Sequence, residues 1–122
     1  MGDLTKLEVW KISLELATDV YKLTQKGNLA KDFSFQDQIR RSAISIPSNI
    51  AEGAGSGFDK LGVRYFYNAR GSSAELKTQL LIAKNIEYID DAEYQGLLSE
   101  IESIMKMLNK LINYRQGLYN SK

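Results

Sequence analysis

A row of polar side chains near the middle of the sequence is the first feature able to do chemistry. Its members follow one another at intervals of four, three and four residues, and they are Arg41, Ser45, Ser48 and Glu52. These intervals align side chains on one face of an α-helix. The face can be solvated, can contact another subunit or can bind a ligand. We favour a subunit contact, because open helix surfaces usually carry longer polar residues than serine.

The composition excludes most enzyme mechanisms. The chain has 122 residues and contains no cysteine and no histidine. It therefore has no thiol nucleophile, no imidazole base and no Cys/His zinc site. Glu52 beside Arg41 is more typical of an ion pair than of an acid or base. We expect no catalytic residue, no metal and no cofactor.

Helical periodicity runs through the whole sequence and predicts one domain, residues 1–122. The predicted helices span about residues 4–26, 35–54, 58–87 and 90–115. Gly27 suits the left-handed turn after the first helix, and Asp90 with Glu93 forms a capping box for the fourth. Because the connections are short, we expect an all-α, antiparallel up-down-up-down four-helix bundle.

Apolar stripes predict which faces of the later helices are buried. The second helix has one stripe, made of Phe35, Ile39, Ala43, Ile46, Ile50 and Ala54. The fourth helix also has one, made of Leu97, Leu98, Ile101, Ile104, Met105, Leu108, Leu111 and Ile112. The third helix is less regular, because Leu61 falls on its core stripe whereas Val63 and Tyr67 fall beside it.

Pro47 is the only proline and lies inside the second predicted helix. The apolar residues keep their register on both sides of it, so we expect the helix to bend rather than end. Proline removes one backbone hydrogen bond and crowds the carbonyl of Ala43, which predicts a kink between these two residues. Ser45, Ser48 and Asn49 are close enough to bond the freed backbone groups.

The first predicted helix has two neighbouring apolar stripes that together cover roughly 220°. One stripe contains Leu7, Trp10, Leu14, Ala17 and Tyr21, and the second contains Val9, Ile12, Leu16, Val20 and Leu23. Either the chain exposes apolar residues, which is common, or other copies of the chain cover one stripe. Such a long exposed stripe is unusual for a monomer. We therefore expect a homo-oligomer whose interface contains the residues Val9, Ile12, Leu16, Val20, Arg41, Ser45, Ser48 and Glu52.

Charge is distributed unevenly along the chain although the formal net charge is only +1. Residues 31–84 contain eight basic and five acidic residues, whereas residues 87–102 contain six acidic residues and no basic one. The basic residues are either scattered solvating charges or a modest patch, which an oligomer would multiply. The "GAGSG" segment at residues 53–57 has no preceding strand, so a helix–helix turn explains it better than a phosphate loop.

Membrane segments and targeting signals are not evident. No apolar run approaches the roughly 20 residues that span a bilayer. The N-terminal "MGDLTKLEVW" lacks the basic and apolar regions of a signal peptide. We expect a cytoplasmic protein with no membrane partner.

Two segments resemble a known family. They are "QIRRSAISIPSNIAEG", residues 38–53, and "ARGSSAELKTQL", residues 69–80. Both are similar to segments of the bacterial four-helix bundle proteins known as 23S rRNA intervening-sequence proteins. The opening "LEVWKISLELATDVYKLT" looks like that family's first helix, so the resemblance covers nearly the whole chain. Relatives include accessory proteins of diversity-generating retroelements, which assemble as pentamers and work with a reverse transcriptase and nucleic acid.

The resemblance implies a ring-like homo-oligomer, with a pentamer as the expected form, and nucleic-acid contact as the leading function. Arg40, Arg41 and Arg70 match the family segments, and Lys60 and Arg64 extend the set of candidates. This function requires the five residues to converge on one exposed face of the assembly. The alternative function is a protein-interaction scaffold that binds no nucleic acid and recognises another protein.

Overall fold

The described part of the chain forms four long helices and one short one. The structure is a computed structural model that describes residues 7–56 and 59–120, and within these ranges every regular element is a helix. The helices are α1 (Glu8–Thr24), α2 (Gly27–Lys31), α3 (Phe33–Gly55), α4 (Asp59–Asn85) and α5 (Asp91–Asn120). The predicted all-helical class is confirmed. Residues 4–6 and Phe58, predicted to begin the first and third helices, lie outside the described residues.

The ends of two helices follow from local sequence. Gly27 adopts a positive φ of 55°, the left-handed conformation predicted for it, in the connection between α1 and α2, where it is the first residue of α2. At the start of α5, the backbone N–H of Glu93 donates to Asp90 Oδ1 at 2.7 Å, and the N–H of Asp90 donates to Glu93 Oε1 at 2.9 Å. This reciprocal pair is the predicted capping box.

Helix α2 occupies a segment with no predicted helix. It has five residues, of which Leu29 is buried against the core. Asp32 follows α2 and caps the start of α3, because its Oδ1 accepts a hydrogen bond from the N–H of Phe35. Its Oδ2 accepts a second bond, at 3.1 Å, from the Tyr88 hydroxyl. A five-residue helix is too short to produce a periodic sequence signal.

Helix α1 directs its second apolar stripe into the protein's own core. Val9, Leu16 and Val20 are at most 5% exposed, and Ile12 is partly buried against the same core. Helix α1 packs against both α3 and α5, so it needs a wide apolar arc within one chain. Val9, Leu16 and Val20, predicted from the sequence to lie in a subunit interface, are therefore core residues within the single chain and offer little surface to a second copy.

Helices α3 and α4 approach closely at a pair of glycines. Helix α3 continues through Pro47 to Gly55, so Gly53 is a helical residue rather than part of a flexible turn. A Cβ atom at Gly53 would lie 2.5 Å from the Phe66 ring and 3.0 Å from the Gly62 carbonyl oxygen. Only glycine permits this approach, which sets the position of the first half of α4.

Helices α1 and α5 meet at a cluster of carboxylates. Glu100 on α5 shares a hydrogen bond with Asp19 on α1, and Glu15 lies near it. Partial burial and the negative charge of Asp19 raise the pKa of Glu100 to about 7. Lys22 and Lys26 of α1 line the same groove as Asp19 and Glu100. At neutral pH, Glu100 is therefore close to its pKa, and its deprotonation adds a negative charge to the cluster.

The pKa of Glu100 predicts a loss of stability on deprotonation. Because its folded pKa lies above its ordinary value of 4.5, the folded state binds the proton more tightly than the unfolded state. The free energy of unfolding should therefore fall as pH rises from about 4.5 to about 7. Glu100→Gln should remove this dependence and add about 1 kcal/mol at pH 8, a value reduced for the group's partial exposure.

Urea denaturation at pH 5 and pH 8 measures this effect. Glu102→Gln provides a matched control, because Glu102 is exposed on the same helix. An unchanged pH dependence in Glu100→Gln would contradict the assignment.

Candidate nucleic-acid interface

The adjoining parts of α4 and α5 carry basic side chains without acidic ones. No acidic residue lies between Asp59 and Glu75, or after Glu102. The segments lie side by side, because Arg70 Nη1 donates to Asn109 Oδ1 at 2.8 Å. Positively charged side chains grouped on a surface attract anions. The basic residues in these described segments are Lys60, Arg64, Arg70, Lys106, Lys110 and the buried Arg115.

An open groove of about 710 Å³ lies at this end of the molecule. Its lining combines apolar and polar side chains and consists of Lys60, Leu61, Val63, Arg64, Tyr67, Asn68 and Gln116. Lys60 and Arg64 are exposed, and neither forms an ion pair with another described residue. The groove therefore has two exposed cations beside an apolar and aromatic wall.

Tyr67 is fixed by contacts from both neighbouring helices. The guanidinium carbon of Arg70 lies 4.6 Å from the centre of the Tyr67 ring, within the range of a cation–π contact. On the α5 side, Gln116 Nε2 donates to the Tyr67 hydroxyl at 3.1 Å. The side chain is nevertheless 39% exposed. Tyr67 thus presents a preorganised aromatic ring to the groove.

Arg40 and Arg41 are consecutive in sequence but have different environments. Arg40 donates from Nε to the buried Thr24 Oγ1 at 2.7 Å, and its guanidinium carbon lies 4.4 Å from the centre of the Tyr21 ring. These contacts connect α3 to α1. Arg41 has an 80% exposed side chain whose Nε lies 3.0 Å from Asp37 Oδ2 one turn away. Arg40 is therefore a structural contact, whereas Arg41 extends into solvent.

The structure brings together three of the five predicted nucleic-acid residues. Lys60 and Arg64 line the α4 side of the groove, and Arg70 contacts the Tyr67 ring beside them. Arg40 and Arg41 lie on α3, and Arg40 faces α1. Within one chain, the five residues consequently do not form a single patch.

The polar row on α3 is divided between an internal contact and the surface. Ser45 Oγ lies 2.8 Å from Ser72 Oγ of α4. Ser45 therefore joins two helices of the same chain, and this bond accounts for the serine without a second subunit. The other members of the row, Arg41, Ser48 and Glu52, are exposed.

Two further polar contacts accompany the bond between Ser45 and Ser72. Asn49 Nδ2 donates to the Ser45 carbonyl oxygen at 2.8 Å and to Ser45 Oγ at 2.9 Å. Earlier on α3, the buried Ser42 donates a hydrogen bond to a carboxylate oxygen of Glu75 on α4. Asn49 thus bonds the α3 backbone near Pro47, whereas Ser42 and Ser45 connect this helix to α4.

Tyr67, Asn109 and Gln116 are not among the site residues predicted from the sequence. Their role depends on the pairing of α4 with α5, which no single helix reveals. The feature of the sequence that indicates this site is the lack of acidic residues in the adjoining segments of α4 and α5. Lys106 lies three residues before Asn109, which puts both on the same side of α5.

The described residues contain no group of three carboxylates arranged to hold a metal ion. None of the helices in the described ranges combines the length and the apolar character needed to span a bilayer.

Comparison with known proteins identifies a family and a similar solved structure. The model of the family described as "23S rRNA-intervening sequence protein" matches residues 5–110. A protein of unknown function from the S23 ribosomal protein family of Bacteroides thetaiotaomicron has a similar structure, with a TM-score of 0.78 and 28% sequence identity. That match covers 85% of this chain and 97% of the other. A search among curated proteins found no match.

The different environments of Arg40 and Arg41 predict different effects of truncation. Arg40→Ala should lower the free energy of unfolding by about 1–2 kcal/mol, because it removes the hydrogen bond to Thr24 and the contact with Tyr21. Arg41→Ala should change it by less than about 0.5 kcal/mol, because an exposed ion pair contributes little. Urea denaturation followed by circular dichroism measures both, and equal losses would refute the structural role of Arg40.

Proposed function

The chain belongs to the 23S rRNA-intervening sequence protein family, and we propose that it is a non-catalytic, cytoplasmic nucleic-acid-binding protein. The observation that carries this proposal is the groove on α4, where Lys60 and Arg64 are exposed and the lining contains no acidic residue. Their cationic groups would neutralise phosphates and release counterions, which supplies most non-specific affinity for nucleic acid.

The low net charge is compatible with this function because the charges are separated in space. The acidic start of α5 includes Glu93, and the basic part of the same helix includes Lys110. These positions are 17 residues apart, which corresponds to about 25 Å of helix. This distance exceeds the Debye length of about 8 Å at physiological salt. A phosphate in the groove would therefore interact mainly with the nearby cations.

Salt-dependent binding tests the proposal. We expect labelled structured RNA and single-stranded DNA to bind at low salt, with an affinity that falls steeply as salt rises. The double variant Lys60→Glu, Arg64→Glu should weaken binding by roughly tenfold or more, because it replaces two cations with anions. Fluorescence anisotropy measures the affinity at each salt concentration.

The matched control is Lys11→Glu, Lys31→Glu, which makes the same charge change at exposed positions outside the groove. This control should retain most of the wild-type affinity. Equal losses in both variants would mean that net charge, rather than the groove, determines binding. Absence of salt-dependent binding in the wild type would reject the proposal and favour a protein-interaction scaffold.

We also propose that the long helices form an up-down-up-down bundle in which α3 is kinked at Pro47. Contacts between α3 and α4, and between α4 and α5, support this topology, because residue numbers rise along one helix as they fall along its neighbour. The pairs are Ser45 with Ser72, Gly53 with Phe66, Arg70 with Asn109 and Lys84 with Asp91.

The proposed assembly is a homo-oligomer, for which the family resemblance implies five copies. Its interface would use the apolar residues that α1 and α3 leave partly exposed. These are Trp10, Leu14, Tyr21 and Ile44. A ring would repeat the basic groove in each subunit and increase the avidity for a long nucleic acid.

Light scattering at micromolar concentration tests this assembly. We expect a mass of several chains for the wild type and a lower mass for Leu14→Glu, because the charge would be buried at the interface. Ile82→Glu is the control, since Ile82 on α4 is 47% exposed and Leu14 is 46% exposed. A single-chain mass for the wild type would refute the oligomer.

A further inference from the structure

The groove has an apolar and aromatic wall that phosphate binding does not use. We propose that this wall holds one unpaired nucleobase stacked on Tyr67, so that the protein prefers single-stranded to fully paired nucleic acid. The inference rests on the proposed function and specifies the ligand of the same groove.

The setting of Tyr67 suits a stacking platform. Arg70 lies over the ring, and Gln116 bonds the hydroxyl, so the ring is held before any ligand arrives. The side chain is still partly exposed where it lines the groove. Because the ring is already ordered, stacking a base on it costs little conformational entropy.

The neighbours of Tyr67 match the parts of a nucleotide. The exposed Leu61 supplies apolar surface for a base, and Asn68 and Gln116 bring amide groups that can pair with its polar edge. Lys60 and Arg64 lie in the same groove for the adjoining phosphates. This combination of aromatic stacking with backbone neutralisation is how proteins bind single strands.

Paired nucleic acid cannot use this wall without disrupting its own structure. The bases of a duplex are stacked on one another, so a duplex offers the groove mainly phosphates and sugars. A single strand can place a base on Tyr67 and still bring its phosphates to the cations. The stacking contact therefore adds affinity only for unpaired nucleotides.

Three ligands with the same number of phosphates separate stacking from charge. They are a labelled thymidine strand of about 25 nucleotides, the same backbone with abasic sites, and a blunt duplex of about 13 base pairs, each with about 24 phosphates. For the wild type, we expect the intact strand to bind about tenfold more tightly than the abasic strand and the duplex. This comparison needs no variant and so does not depend on the folding of a mutant protein.

Two variants of Tyr67 locate the effect. Tyr67→Leu removes the ring and should abolish the preference for the intact strand, while its salt dependence remains. Tyr67→Phe keeps the ring and loses only the hydroxyl bond to Gln116, so it should retain the preference. Circular dichroism confirms that both variants are folded.

The outcomes distinguish the inference from the function on which it rests. Equal, salt-sensitive binding of the intact and abasic strands would overturn base stacking and leave phosphate binding in place. A preference that survives in Tyr67→Leu would also overturn the role of Tyr67. No binding of any ligand at low salt would overturn both proposals.

Discussion

The close contact between α3 and α4 at Gly53 and Gly62 is the constraint on which the groove depends. Neither position can accept a Cβ atom without a contact of 3.0 Å or less with its surroundings. Phe66 packs at the same place, and the guanidinium carbon of the buried Arg115 lies 5.6 Å from its ring centre. Three helices therefore meet around two glycines. This packing fixes the position of the first turns of α4 relative to α5, and therefore the position of Tyr67.

The distribution of charge gives the molecule two different surfaces. The carboxylates between α1 and α5 raise the pKa of Glu100 to about 7, whereas the adjoining parts of α4 and α5 carry basic residues without acidic ones. A nearly neutral total conceals this separation. Charge acts over roughly 10 Å in salt solution, so an approaching polyanion would respond to the local surface rather than to the sum.

Local interactions were predictable from the sequence because they involve residues a few positions apart. The turn at Gly27 and the capping box of Asp90 and Glu93 require only backbone geometry and neighbouring side chains. The core stripes of α3 and α5 were also predicted, because each of these helices has one dominant apolar face. In α4, by contrast, Val63 is buried and Leu61 is exposed, opposite to expectation. The apolar residues of this helix are too sparse to define one face without its neighbours.

The sequence by itself determined that the chain is helical, where most of its helices lie and which common catalytic groups it lacks. The tertiary structure decided which apolar stripe of α1 is buried, because two comparable stripes cannot be ranked without knowing the neighbouring helices. It also decided that Arg40 bonds α1 while Arg41 faces solvent, since adjacent helical residues point about 100° apart. The groove at Tyr67 likewise arises only when α4 and α5 are paired. Packing between distant segments, rather than local preference, created the candidate site.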